Sequence, residues 1–339
     1  MARFYIKSIL LIAGSFLCLT AFSAEIKTSL PISGHSPTDT QQIISSDVLA
    51  RVVMLREELN LIRKAMGKPR EAKSLVAVTG ASPREAYFQA EVLFQKANRL
   101  AYEVTGSLAV SPKLQGGERL LPAQVWQLVD ASLKRVLLVK KVLQIHQKVK
   151  EVREPKNKTS TDVFNAILQV NHELNELLFR RLTPSDVFEQ VTLAVGYTEQ
   201  LLKFFQVSNR IPDAPAFVPN KTPADVYQRL VACIRLLRAI AKESNVKMLN
   251  IQESKDRLHQ AIPGNAYSLS KIILAEVRYF NTLLPQKMAA IQSYYAGYKV
   301  PADVYQRAGI LFSQLTQLQN KVKKNNQWLR QGKKAGAMT

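Results

Sequence analysis

A short phrase returns eight times along this chain: a small or hydroxyl residue, often a proline, then an acid or amide, a small apolar residue and usually an aromatic. Its clearest copies lie at 183–188 (TPSDVF), 222–227 (TPADVY) and 300–305 (VPADVY). Such residues begin helices, because the first backbone N–H groups have no partners inside the helix and can donate hydrogen bonds to capping side chains. The phrase therefore predicts repeated helix starts. Looser copies lie at 45–49, 82–87, 121–126, 160–164 and 262–267.

Six copies of the phrase carry an acid, and we interpret these acids as structural helix caps. Catalytic carboxylates or calcium ligands are the alternative, but six equivalent acids single out no catalytic pair. Capping explains both the residue type and its place in the phrase. The sequence predicts no catalytic, cofactor-binding or metal-binding residue. The predicted caps are Asp47, Glu85, Asp162, Asp186, Asp225 and Asp303.

Apolar residues follow each start at +1, +5, +8, +12 and +15 from the acidic position. This 4-3-4-3 spacing keeps one apolar stripe along a helix and predicts packing by that face. Ser132 and Thr198 are polar exceptions whose hydroxyls can bond back to their own helix. In the copy at Asp225 the stripe is Val226, Leu230, Cys233, Leu237 and Ile240.

The spacing between starts predicts an all-α fold of tandem helical repeats in two four-helix units. The steps are 38, 39 and 38 residues from Asp47 to Asp162, and 39, 40 and 38 from Asp186 to Asp303, with one short step of 24 between the two series. Helices of roughly 22 residues leave connectors long enough to run back along a helix, so parallel and antiparallel neighbours both remain open. Short helices are expected within the connectors at 253–260 and 286–294, and no strand alternation is evident.

The first residues have the pattern of a secretory signal peptide. Arg3 and Lys7 precede an apolar run at 9–19, and Ala21 and Ser23 suit cleavage after Ser23. We therefore expect an exported chain, periplasmic or extracellular, that is not an integral membrane protein. The predicted organisation is a signal peptide at 1–23, a flexible N-terminal segment at 24–44, four-helix units at 45–182 and 183–325, and a basic C-terminal tail at 326–339.

The formal charge of +21 favours anionic partners, and its unevenness selects a candidate contact. One stretch concentrates cations outside the apolar stripe, so most of them are expected to face solvent. The stretch is either a solvated helical face or a contact for an anionic partner. The candidate residues are Lys134, Arg135, Lys140, Lys141, Lys148, Lys150 and Arg153.

The aromatics that close the phrase have two readings. They pack between helices, which we favour, or they form a ladder for stacking on sugars or bases. They are Tyr87, Trp126, Phe164, Phe188, Tyr227, Tyr267 and Tyr305.

Repeated packing elements build extended surfaces, whereas catalysis needs one unique constellation of residues. The favoured function is therefore a non-enzymatic scaffold or adaptor in a bacterial cell-envelope or extracellular assembly, with a protein partner. The alternative is a binding module for an anionic polymer or lipid, such as lipopolysaccharide, acidic glycan or nucleic acid. Nucleic acid is the least favoured of these partners.

Overall fold

The structure is a computed structural model that describes residues 42–68, 76–112, 120–150, 154–253, 255–284, 289–293, 296–325 and 327–329. The predicted signal peptide and Arg153 lie outside the described residues, as does the predicted flexible segment up to residue 41. The fold is all-α, as predicted. Its helices are α1 (Ser45–Ala65), α2 (Pro83–Thr105), α3 (Pro122–Val142), α4 (Ser160–Leu177), α5 (Pro184–Phe204), α6 (Pro223–Glu243), α7 (Pro263–Thr282) and α8 (Pro301–Lys324).

The same hydrogen bond begins each of these eight helices. The backbone N–H of the residue before the helix donates to the side chain of the third helical residue, at donor–acceptor distances between 2.7 and 3.0 Å. The acceptors are the six predicted acids together with Gln124 and Asn265. Each start thus satisfies one backbone donor, and the acids add negative charge where the helix dipole is positive.

Replacing Asp186 or Asp225 with alanine should lower the free energy of unfolding by about 0.5–2 kcal/mol, because the capped N–H loses its acceptor. The Thr222 N–H and hydroxyl lower the pKa of Asp225, so its contribution is present at neutral pH and is lost as the carboxylate protonates in acid. Urea unfolding at pH 7 measures the cost, with Asp213→Ala, an exposed connector acid, as the control. Wild-type stability combined with lost partner binding would make these acids functional instead.

The apolar stripe is buried as predicted. Val226, Leu230, Cys233, Leu237 and Ile240 are all at most 2% exposed. Burial raises the pKa of the Cys233 thiol to about 12, which leaves it protonated and unreactive at neutral pH.

The two polar stripe residues behave as predicted too. The Ser132 and Thr198 hydroxyls are fully buried, and each donates at 2.7 Å to the carbonyl four residues earlier in its own helix. Back-bonding therefore lets a polar residue occupy a core position.

The four helices of each half run parallel, which the sequence left open. In the second half, α5–α8, the first turns of all four helices surround one small apolar gap, and the first half, α1–α4, repeats this arrangement. In both halves the first and second helices each pack on the third and the fourth. The gap of the second half is lined by Pro184, Val187, Pro223, Val226, Pro263, Ala266, Pro301 and Val304, and that of the first by Ser45, Val48, Pro83, Ala86, Pro122, Val125, Ser160 and Val163.

Parallel helices require connectors that return along the bundle, and hydrogen bonds show two such paths. After α5 the chain runs back along α8, where Gln314 and Gln306 donate to the carbonyls of Arg210 and Pro215. It approaches so closely that a Cβ on Gly309 would lie 2.6 Å from Pro215 Cγ. A glycine inside a helix normally costs stability, so close approach of the connector explains it.

The connector after α7 runs back along α5 in the same way. Gln200 donates to the carbonyl of Ala289 near one end, and Lys299 N–H donates to Ser185 Oγ at the other. A Cβ on Gly196, between these points, would lie 2.7 Å from Ile291 Cδ1. The described part of the connector at 289–293 is not helical, so the predicted short helix at 286–294 is absent there.

The two halves pack side by side with opposite directions. Lys96, late in α2, approaches the ring of Tyr267 near the start of α7, whereas Arg84, early in α2, binds Glu276 far along α7. The helix starts of one half therefore lie at the end where the helices of the other half finish. Parallel helix dipoles within one half repel each other, and the antiparallel dipoles of the neighbouring half partly offset that repulsion.

Two strands that the sequence did not indicate join the connectors of the two halves. β1 (Val76–Thr79) pairs antiparallel with β2 (Asn250–Glu253), and Asn165 of α4 bonds both backbone groups of Val78. A short 3₁₀ helix, Lys255–Gln260, follows β2 within the connector where a short helix was expected. Each half keeps its own buried cluster, although Phe164 and Leu168 of α4 pack in the cluster of the second half.

Candidate functional site

A cleft of about 620 Å³ lies where the end of α2 meets the start of α5. We call it the junction cleft, because the turn joining the two halves forms part of its wall. Four smaller cavities hold about 10 Å³ each, roughly one water molecule. The junction cleft, at about 620 Å³, falls in the volume range of small-ligand sites. The lining residues are Arg99, Tyr102, Glu103, Arg180, Thr183, Ser185, Asp186 and Glu189.

The wall from α2 is held by a chain of charge-assisted hydrogen bonds. Arg99 pairs with Glu103 one turn later at 3.2 Å and donates to the carbonyl of Arg180 in the turn after α4. Glu103 also accepts from the backbone N–H of Phe179 at 2.9 Å. The charges of Arg99 and Glu103 are therefore already paired. The Arg180 side chain is exposed and has no partner among the described residues.

The wall from α5 carries two carboxyl groups that lie one helical turn apart. Asp186 accepts from the N–H and the hydroxyl of Thr183, both at 2.7 Å, as the cap of α5. Glu189 accepts from the hydroxyl of Ser293. Burial raises the pKa of Glu189, and the negative charge of Asp186 raises it further, while Lys271 lowers it. The α5 wall therefore offers carboxyl oxygens as hydrogen-bond acceptors, and nearby cations neutralise their negative charge only in part.

Tyr267 of α7 lies within electrostatic reach of both walls. Burial raises the pKa of its phenol, the charges of Asp186 and Glu189 raise it further, and Arg99 lowers it. Its ring lies under the ammonium group of Lys96 at 5.6 Å and that of Lys271 at 5.7 Å. The phenol therefore stays protonated and can donate or accept a hydrogen bond.

The structure divides the predicted basic contact into buried and exposed residues. Arg135 is 8% exposed and donates to the carbonyl of Ser107, and Lys140, also 8% exposed, pairs with Glu58 at 2.5 Å. These two residues depart from the expectation that most of the stretch faces solvent, because Lys140 reaches the buried Glu58 and Arg135 reaches a backbone carbonyl of the connector after α2. Lys134 is exposed but pairs with Asp130. Lys141, Lys148 and Lys150 are exposed without a partner among the described residues.

The aromatics of the phrase do not form an exposed ladder. Tyr87, Phe164, Phe188 and Tyr227 are at most 6% exposed. The partly buried members are covered by cations: Trp126 by Arg51, Tyr267 by Lys96 and Lys271, and Tyr305 by Lys221 and Arg229. Packing between helices therefore describes these residues.

Sequence reasoning missed most of the junction cleft. Asp186 was identified as a cap, and the boundary between the two four-helix units was placed between residues 182 and 183. Arg99, Tyr102 and Glu189 carried no signal of their own. Finding them requires knowing that the end of α2 lies beside the start of α5. That proximity depends on the opposed packing of the halves, which the repeat does not encode.

No family model matches the chain, and the searches of curated proteins and of solved structures returned no match. None of the helices in the described part of the chain combines the length and apolar run needed to cross a bilayer.

Proposed function

We propose that the chain is an exported, non-enzymatic scaffold or adaptor in a bacterial cell-envelope or extracellular assembly. Export rests on the signal-peptide pattern at 1–23. A non-enzymatic role is supported by the repeated acids, which act as helix caps: each accepts a backbone hydrogen bond at a helix start. Asp162 and Asp225 have lowered pKa values because of those bonds, so they are poor proton donors at neutral pH.

The observation that carries the proposal is the grouping of exposed apolar side chains at one end. We call this the junction end, where α1–α4 finish and α5–α8 begin. Among the residues that the structure describes, most large exposed apolar side chains lie there, on helix ends and connectors. Exposed apolar groups concentrated in one region are typical of protein interaction sites. They are Tyr102, Leu108, Val110, Val142, Phe179, Phe217, Val218, Ile262, Tyr298 and Val300.

Photo-crosslinking in the source bacterium tests this proposal. Phe217 and Ile211 are on the same connector and are similarly exposed, at 51% and 55%, but Ile211 lies beside the middle of α8. A photo-reactive residue at 217 should give discrete adducts with envelope proteins, and one at 211 should give none. Equal adducts at both positions, or none at 217, would contradict a scaffold that binds through the junction end.

A second candidate function is binding to an anionic surface through Lys141, Lys148 and Lys150. It is favoured by their exposure and by the net charge of +21. Reversing Lys141 and Lys148 to glutamate should reduce retention on lipopolysaccharide at low salt and flatten its salt dependence. Lys140 stays unchanged, since its loss would unpair the buried Glu58.

The matched control for this charge reversal is Lys203→Glu with Lys242→Glu, which changes the net charge equally at exposed positions in the other half. If the two double variants lose retention equally, net charge alone explains binding and the basic stretch is a solvated face. Circular dichroism checks that both keep their helices.

A further inference from the structure

We propose that the junction cleft binds a short, uncharged oligosaccharide. The cleft is preorganised: the Arg99–Glu103 pair, the Phe179 N–H and the Arg180 carbonyl fix its α2 wall, and the cap of α5 fixes the opposite one. Preorganised polar walls avoid the entropic cost of ordering side chains when a ligand binds.

The balance of charge in the cleft argues for a ligand without net charge. An anionic ligand would face the carboxylates of Glu103, Asp186 and Glu189, whereas a cationic ligand would face the guanidinium groups of Arg99 and Arg180. A hydroxyl group both donates and accepts, so a polyhydroxylated ligand can satisfy both kinds of group. Hydrogen bonds to ionised partners are also stronger than neutral ones.

The aromatic residue of the cleft supports the same ligand class. Tyr102 lines the cleft and is 51% exposed, so its ring has a face open to a ligand. The apolar C–H faces of sugar rings pack on such faces. Phe179 and Tyr298, at 65% and 83% exposure, neighbour cleft contacts in the chain, because Phe179 N–H binds Glu103 and the next residue after Tyr298 binds Ser185.

The remaining cleft residues add hydrogen-bonding groups at both ends of this surface. Arg180 offers guanidinium donors with no partner among the described residues, and Glu189 offers acceptor capacity beyond its bond from Ser293. Sugars bound between Tyr102 and these groups would exchange bonds to water for bonds to fixed partners. The cleft volume of about 620 Å³ accommodates more than one ring.

Saturation-transfer NMR on the purified full chain tests the proposal, with chitotriose and maltotriose as uncharged probes. At least one should receive saturation, and a glucosamine trimer, a galacturonate trimer and a tripeptide should receive less. Tyr102→Ala should weaken binding about tenfold through the lost stacking contact. Arg180→Gln should weaken it as well, and its side chain has no described contact whose loss would unfold the protein.

Two variants serve as matched controls. Arg181→Gln removes the adjacent arginine, which pairs with Glu176 outside the cleft, and Phe312→Ala removes an exposed aromatic from α8. Both should bind the probe as the wild type does. The proposal is overturned if neither uncharged trisaccharide binds at millimolar concentration, if the cleft and control variants bind alike, or if the tripeptide binds in their place.

Discussion

Arg84→Met is expected to destabilise the protein by about 3–5 kcal/mol at pH 8, because it leaves a buried carboxylate without its cation. Arg84 lies on α2 and is 9% exposed; it donates to Glu276 of α7 at 2.9 Å, to Glu85 at 3.1 Å and to the carbonyl of Lys247. Glu276 is 1% exposed. The substitution keeps the apolar stem and removes the charge at the contact between the two halves.

The stability lost in Arg84→Met should be smaller at pH 5 than at pH 8, because Glu276 is protonated at the lower pH. Burial raises the pKa of this carboxyl to about 7 from an ordinary 4.5, although Arg84 lowers it. The folded state therefore binds the proton more tightly than the unfolded state does. The resulting stabilisation is full below about pH 4.5 and is lost as pH rises towards 7, a change on the order of 3 kcal/mol.

His172 opposes this trend and must be separated from it. Burial lowers the pKa of its imidazole to about 4 from 6.5, so its contribution to stability is lost as pH falls through that window. Glu276→Gln removes the carboxyl titration and leaves His172, so this variant should gain stability from pH 4 to 6.5 more steeply than the wild type. Urea unfolding across pH 4–8 measures both effects.

Arg56→Met is the matched control for Arg84→Met. Arg56 pairs with Glu173 at 2.7 Å, but its side chain is 36% exposed, so its loss should cost less than about 1 kcal/mol. Adding Glu276→Gln to Arg84→Met should restore part of the lost stability at pH 8. An Arg84→Met cost no larger than that of Arg56→Met, at every pH, would contradict a structural role for the buried pair.

Local rules in the sequence predicted the helices, and long-range pairing lay outside them. The N-cap phrase and the stripe from Val226 to Ile240 depend on neighbours within one or two turns, so both could be predicted from the sequence. The acids of the phrase accept backbone hydrogen bonds at the helix starts, and the stripe is buried core. No local pattern in the sequence marks Arg84 and Lys96 of α2 as buried. They are buried because α7 supplies Glu276 and Tyr267 from far along the chain. Only the opposed packing of the halves brings these residues together.

The basic stretch shows the same limit in reverse. Lys140 lies outside the apolar stripe, in a stretch whose cations were mostly expected to face solvent. A long side chain can reach sideways to a neighbouring helix, and Lys140 finds Glu58 of α1 there. Periodicity predicts which face is apolar, but it does not predict which charged residues beside that face are paired.

The C-terminal boundary gives the second large effect. The sequence placed a basic tail at 326–339, yet Trp328 is fully buried within that range. Its ring lies 5.2 Å from Phe205, 5.8 Å from Phe204 and 6.3 Å from Phe280, measured between centroids, and its indole N–H donates to Ser244 at 2.9 Å. Trp328 therefore closes the core of the second half beyond the end of α8.

Trp328→Ala should lower the free energy of unfolding by about 3–5 kcal/mol, because it removes a large buried ring and leaves a cavity between three phenylalanines. Truncation after Asn325 should cost a similar amount, since the same ring is lost. Trp328→Phe should cost less than either, because a phenyl ring still fills most of the site, and the loss is limited to the smaller ring volume and the bond to Ser244. Trp126→Ala is the control and should cost less than Trp328→Ala, because Trp126 is only partly buried beside Arg51.

Urea unfolding followed by circular dichroism ranks the four variants by stability. A truncated protein as stable as the wild type would place Trp328 outside the folded core and restore the boundary at 326.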